Sequence, residues 1–207
     1  MEYEICVLQF FHMFYIFGLG NPGEEYENTR HNTGRLVLDA ISKKYGFSDW
    51  KMDLKSKSIT SKGEIGGESI VLIKPDTFMN NSGNSAMVFI DTPKKRERTV
   101  VIYDDIDLPI GTLKISYNRG DGGHNGLASV IKKLKSREFV RMRVGVAPTT
   151  PSGKIKKPTG EAAVIKFLMA DFKESEEKEF KKIAKKIMEA LETFVADGKD
   201  KMMSIHN

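Results

Sequence analysis

Residues 18–34 read GLGNPGEEYENTRHNTG. They follow an apolar run, FYIF at 14–17, and open with the spacing G-x-G-x-x-G. That is the spelling of a dinucleotide-binding loop, and its reading decides what kind of α/β sheet the chain makes. A dinucleotide loop needs its third glycine to open a helix whose N-terminus faces a pyrophosphate. Here Gly23 is followed by EEYENTRHN, which sets Glu24 and Glu25 where phosphates would lie and postpones any helix. Asp39 stands near the spacing of a ribose-binding acid, but inside a helical pattern instead of at a strand end. The context argues against a nucleotide cradle. It leaves a loop carrying three asparagines, an arginine and a histidine before its helix.

Outward from that loop, short apolar runs alternate with helical patterns. FYIF (14–17), SIVLI (69–73) and TVVIY (99–103) have the length and continuity of buried strands. Residues 112–117 and 140–147 alternate as half-buried strands do. Leu36, Val37, Ala40, Ile41 and Tyr45 recur at helical spacing, with Gly46 as a stop. Helices are also expected after Ser82-Gly83, over 127–135, and over 174–196. The last of these carries Phe180, Ile183, Ile187, Leu191 and Phe194 on one stripe, with Gly198 as its cap. Residues 149–160 are rich in Pro, Thr, Gly and Lys and read as a loop. Strands alternating with helices predict one α/β domain: a twisted mixed sheet, mostly parallel, with helices on both faces.

With 207 residues, 40% of them hydrophobic, the chain suits a single core. Residues 13–198 are assigned to the domain and 199–207 to a C-terminal tail. Residues 1–12 read as an extension ahead of a natural start at Met13. The apolar stretch 5–19 is broken by Gln9, His12 and Gly18, too short and too polar to span a bilayer. Its flank carries Glu2 and Glu4 where a signal peptide wants positive charge. Cys6 is the single cysteine, so no disulfide framework or cysteine zinc site forms within the chain, and a reducing cytoplasm is expected. Net charge is +5, and six basic residues against one acidic fall between 132 and 143. A localised basic patch suits a polyanionic partner, although a solvated helix face reads the same.

Ligands bind such sheets beyond the carboxyl ends of the strands. The expected strands end near Asn21, near Asn80 and Asn81, and at Asp104, while the loop 120–126 adds His124 and Asn125. No Gly-x-Ser-x-Gly elbow is present. Asp104, Asp105 and Asp107 have the chemistry for a hard cation, but strand alternation splits them between two faces. His31 or His124 beside an aspartate makes a base with its orienter, and asparagine amides donate to an oxyanion without adding charge. Those are the parts for direct attack of water on an ester.

Together these segments resemble the bacterial peptidyl-tRNA hydrolase family. The matches are FGLGNPGEEYENTRHNTG (17–34), KPDTFMNNSG (74–83), YDDIDLPIGTLKI (103–115), GGHNGLASVIKKL (122–134) and FVRMRVGVAP (139–148). The resemblance implies hydrolysis of the ester between a peptide and the 3′ end of tRNA, in the cytoplasm. It implies no metal or other cofactor, no membrane and no obligate protein partner, in a chain expected to be a monomer. It gives His31 the role of general base and Asp104 that of holding it. Asn21 and Asn80 would position substrate and water, and Asn125 would steady the oxyanion or the water. Tyr26 would contact the tRNA end, and Met79 would line the peptide or terminal-nucleotide groove. His124 is expected to shape its loop instead of acting as a second base. Lys132, Lys133, Lys135, Arg137, Arg141 and Arg143 are expected along the acceptor stem, with Arg143 at a position that senses the 5′-phosphate. The chain departs from the family pattern at Ser116, where some relatives carry a cation. Lys114, two residues earlier on the same strand face, is the expected substitute. Tyr103 stands where many relatives have histidine. A binding module that keeps the fold without hydrolysis is the competing reading. The full His31, Asp104, Asn21, Asn80 and Asn125 set argues against it.

Overall fold

The computed structural model describes residues 13–207, so the reading of residues 1–12 lies outside the described residues. β1 (Phe14–Gly18) is buried throughout. Two 3-10 turns, Glu24–Tyr26 and Arg30–Asn32, carry the quoted loop into α1 (Thr33–Tyr45). α1 ends as expected at Gly46, whose φ of 67° is the left-handed conformation glycine tolerates best. Then come β2 (Lys51–Asp53), β3 (Ser58–Ile65) and β4 (Glu68–Pro75). A third 3-10 turn, Met79–Asn81, leads into α2 (Ser82–Phe89), followed by α3 (Pro93–Glu97) and β5 (Thr99–Pro109). The chain continues through β6 (Leu113–Tyr117), α4 (Asn125–Leu134), β7 (Val140–Ala147), α5 (Glu161–Leu168), α6 (Glu174–Asp197) and α7 (Lys199–His206).

The strands form one mixed sheet in the order β2-β3-β4-β1-β5-β7-β6. Its four central strands, β4, β1, β5 and β7, pair in parallel. Antiparallel strands extend both ends: β3 on β4, β2 on β3, and β6 on β7. The sheet is mixed as expected but not mostly parallel: among the described residues three pairings are parallel and three antiparallel, because the meander β2-β3-β4 and the edge strand β6 add antiparallel neighbours to a parallel centre. β3 and β4 form a hairpin in which Ile65 pairs with Glu68 across Gly66-Gly67. Both glycines have positive φ, the requirement of the tight turn that matches strand twist.

Alternation along β1 divides the core in two. Phe14 and Ile16 pack with α1 and the α6 stripe of Ile183, Ile187, Leu191 and Phe194. Tyr15 and Phe17 pack on the other face with Ala86 of α2 and Leu127 and Val130 of α4. Helices thus cover both faces, as the pattern predicts. No helix among the described residues is long and apolar enough to cross a membrane.

Several elements differ from the sequence reading. β5 runs on to Pro109, so the aspartates lie on the strand and not after it. β2 and β3 carry too few apolar residues to be read as strands; pairing with β4 orders them. Residues 199–207, expected as a tail, form α7. Its Met202 is fully buried, and Asn207 Oδ1 accepts a hydrogen bond from the Ile115 N–H at 2.8 Å. One buried methionine in eight residues gives no periodic signal.

Gly18 and Gly34 bring β1, α1 and β5 into backbone contact. A Cβ on Gly34 would stand 2.4 Å from both the Ile102 carbonyl oxygen and the Leu19 nitrogen. A Cβ on Gly18 would stand 2.3 Å from the Gly34 carbonyl oxygen. This approach sets the start of α1, and His31 just before it, over the middle of β5. Alanine ordinarily stabilises a helix interior relative to glycine by about 1 kcal/mol. Here Gly34→Ala is expected to destabilise by about 1–3 kcal/mol, since backbone on both sides must give way. Denaturant unfolding measures the difference, and a neutral or stabilising result refutes the close-packing argument.

Candidate active site

Alternation on β5 sorts its three carboxylates. Asp104 points to one side and is almost fully buried. Asp105 points to the other and accepts from Arg143 Nε at 2.6 Å. Asp107, two residues on, pairs with Lys157 near the surface. The split excludes a three-carboxylate cation site on this strand.

Asp104 holds two histidines. His31 Nδ1 lies 2.9 Å from Asp104 Oδ1 and 3.1 Å from Oδ2. His124 Nε2 lies 3.2 Å from Oδ1. The tautomers follow from the partners. His124 caps α4, its Nδ1 accepting from the Leu127 N–H at 3.2 Å, so its proton is on Nε2 and points at Asp104. A carboxylate accepts, so His31 donates from Nδ1 and its Nε2 keeps a lone pair. His31 and Asp104 line a cavity of about 330 Å³ together with His124 and Asn125. The ligand-type atoms of His31, Asp104 and His124 lie within 4.8 Å of one another, a cluster able to hold a metal ion. In this structure the two facing nitrogens are engaged with Asp104.

Burial alone would lower the His31 pKa, but the charge and hydrogen bond of Asp104 outweigh it and raise it above 6.5. Burial alone would raise Asp104. The two histidines more than offset this and hold it well below the usual carboxylate range. The stability carried by the raised His31 is fully present below pH 6.5 and is lost as pH rises through its folded value. That of Asp104 is present above the ordinary carboxylate range and is lost as pH falls through its depressed value. Tyr103, against the His124 ring, is pushed up to about 12 by burial and stays a neutral phenol.

The asparagines play different structural parts. Asn21 is buried, and its Oδ1 accepts the Met79 N–H at 2.9 Å. Asn32, which the sequence reading left without a role, grips the Asn21 backbone from both sides. Its Oδ1 accepts the Asn21 N–H at 2.8 Å and its Nδ2 donates to the Asn21 carbonyl at 3.0 Å. Asn32 was visible only as the third asparagine of the opening motif. Asn125 is exposed at the first position of α4 and lines the His31 cavity. Asn80 is exposed on the Met79–Asn81 turn.

Other expected residues are placed differently. Met79 is buried in the core, where a Cβ on Gly126 would stand 2.4 Å from its sulfur, and it does not line the His31 cavity. Tyr26 is half-buried on its outer turn and is likewise absent from that lining. Lys114 and Arg143 are directly opposed on β6 and β7, as are Ser116 and Arg141. All four line a second, more open cleft of about 640 Å³, which shares Tyr103, Asp105, Asp121 and Gly122 with the first. Lys132, Lys133, Lys135 and Arg137 are exposed. Arg141 is fully buried, donating to the Gly120 carbonyl at 2.8 Å. The sequence reading also missed α5, whose Glu161, Val164, Ile165 and Leu168, with Met169, form a largely apolar wall of the His31 cavity.

A nitrogen-15 NMR titration of the histidines tests the Asp104 interaction. The His31 midpoint is expected above 6.5, and Asp104→Asn is expected to lower it, because a neutral amide removes the charge that raises it. An unchanged midpoint in Asp104→Asn refutes the coupling.

Comparison with known proteins places the chain in a family. Residues 15–207 match the family model described as peptidyl-tRNA hydrolase. The peptidyl-tRNA hydrolase of Thermoanaerobacter sp. (strain X514) is 40% identical over 198 residues, covering 94% of this chain and 100% of the relative. That of Listeria monocytogenes serovar 1/2a is 37% identical over 193 residues, covering 93% of this chain and 97% of the relative. Among solved structures, the crystal structure of peptidyl-tRNA hydrolase from Acinetobacter baumannii superposes with a TM-score of 0.81 at 27% identity, covering 93% of each chain.

Proposed function

Since this chain belongs to the peptidyl-tRNA hydrolase family, we propose that it hydrolyses the ester between a peptide and the 3′ end of tRNA, with His31 as general base. The observation that carries the assignment is the Asp104-held tautomer of His31, which leaves Nε2 as a base in the cavity lined by Asn125. His31 takes a proton from water as the water oxygen attacks the ester carbonyl carbon. Asp104 stabilises the imidazolium that forms, as the aspartate of a triad does. The tetrahedral intermediate collapses, and the ribose oxygen leaves with the proton held on Nε2. The products are a peptide with a free carboxylate and a tRNA with its terminal hydroxyl restored. An aminoacyl ester is already activated, so neither a covalent intermediate nor a metal is needed.

Asn125 is assigned to the oxyanion. It opens α4, so the positive end of that helix lies on the same wall. Asn21, pinned through its backbone and its side-chain oxygen, is assigned to substrate and water, and Asn80 to the substrate from the rim. Met79 acts from beneath by donating its N–H to Asn21, and Tyr26 is assigned to the terminal nucleotide. The acceptor stem is assigned to the 640 Å³ cleft and the basic segment beside it. Lys114 supplies the cation absent at Ser116, and Arg143 is shared with Asp105. Phosphate and shape contacts suit an enzyme that accepts many tRNAs. The reading implies a cytoplasmic monomer.

The deciding assay measures release of the blocked amino acid from N-acetyl-aminoacyl-tRNA, beside unblocked aminoacyl-tRNA. Selective cleavage of the blocked ester is expected, with His31→Ala lowering the rate by about 10²–10⁴-fold. Tight tRNA binding without cleavage would move the assignment to an RNA-binding module. The rate is expected to rise with pH through a midpoint above 6.5, because the base must be deprotonated; a flat profile from about pH 5 to 8 opposes His31 as base. Affinity for tRNA should fall steeply with salt, and Lys114→Ala should reduce the log–log salt slope by about 1.

A further inference from the structure

We propose that Arg30 and Glu176 are positioning residues that hold the apolar wall of the His31 cavity in place. This rests on the hydrolase reading for its kinetic consequence, and on geometry alone for the rest.

α5 has no buried residue, and it is approached through the Pro- and Gly-rich stretch 148–160. Only Val164, Phe167 and Leu168 are even half-buried, so little packing holds the helix. Its tether is at its carboxyl end. Arg30 is almost fully buried. Its Nη1 donates to the carbonyls of Ala170 at 3.0 Å and Phe167 at 3.3 Å, and its Nη2 to Glu176 Oε2 at 2.5 Å. The guanidinium carbon lies 4.5 Å from the centroid of the Phe167 ring. Backbone bonds flank this contact: Arg30 N–H to the Ala170 carbonyl at 3.1 Å, and Phe172 N–H to the Asn28 carbonyl at 3.2 Å. One planar fork thus joins the turn bearing His31, the end of α5 and the first turn of α6.

The tether reaches the reacting centre through Met169. Its sulfur lies 3.9 Å from Asn21 Nδ2, and Met169 lines the cavity with Val164, Ile165 and Leu168 of α5. A bulky ester on a macromolecule needs this wall to yield on entry and return for the reaction. A helix anchored at one end and loosely connected at the other swings without detaching. Arg30 suits the anchor because its fixed charge and planar donors satisfy two carbonyls and a carboxylate at once, which lysine cannot do.

The test uses Glu176→Gln, Arg30→Lys and the double variant in the full chain. Glu176→Gln is the mild change: it removes the charge but keeps an oxygen for the Lys173 N–H that Glu176 also accepts at α6's start. Amide hydrogen exchange is expected to quicken in residues 161–170 in each variant, while β1 and β5 keep wild-type protection. On N-acetyl-aminoacyl-tRNA, KM is expected to rise several-fold with the pH midpoint of kcat unmoved. The double variant should be no worse than Arg30→Lys, because both act through one contact. Unchanged exchange in 161–170 overturns the proposal. So does a displaced pH midpoint with unchanged KM, which would make Arg30 a support for His31 alone. If the wild-type chain cleaves no ester, the hydrolase reading fails while the exchange measurement still decides the latch.

Discussion

A carboxylate cannot stay ionised in a protein interior without partners, and Asp104 lies almost fully buried midway along β5. Two imidazole N–H groups meet that need, one from the turn before α1 and one from the N-cap of α4. The requirement runs both ways. Asp104 fixes the tautomer of His31, and the Leu127 N–H fixes that of His124. His124 therefore supports the dyad by occupying one acceptor position of Asp104, which leaves His31 alone with a free ring nitrogen.

The same carboxylate makes demands on the backbone. For His31 to reach Asp104, α1 must begin directly over the end of β1 and the middle of β5, and only Gly18 and Gly34 leave room. The asparagine set depends on that placement in turn. Asn32 follows His31 on the same turn and clasps the backbone of Asn21, which holds Met79 and with it the start of α2. The opening loop is therefore a scaffold for side chains from three strand ends. In the glycine spelling that suggests a phosphate cradle, Gly18 serves close backbone packing, while Gly20 makes room for the Arg35 and Asn32 side chains and Gly23 takes a positive φ.

On the proposed mechanism, the raised pKa of His31 sets stability against activity. The protonated pair contributes most to folding below pH 6.5, while a general base works only above its own pKa. The apolar wall at α5 bears on the same balance, since excluding water strengthens every charge interaction beneath it. α5 has no fully buried residue and is pinned through Arg30, and it forms one wall of the His31 cavity.

The sequence by itself determined the α/β class, the central strands, α1 and its glycine stop, and the stripe of α6, because each is written in local periodicity. It also marked His31, Asn21 and Asn125, because N-P-G-x-x-Y-x-x-T-R-H-N and G-G-H-N-G are specific enough to be recognised, and Asp104 through the segment YDDIDLPIGTLKI. Tertiary structure decided the rest. β2, β3 and α7 are ordered by neighbours and not by their own patterns. Met79 was expected to line the groove and is held in the core, and Arg141, expected among surface cations, is buried by its place on β7. Arg30, Asn32 and Glu176 act through partners 11 to 146 residues away, and no local pattern reports such a contact. A one-dimensional pattern records which face of an element is apolar. Which polar groups meet behind that face depends on how the elements pack.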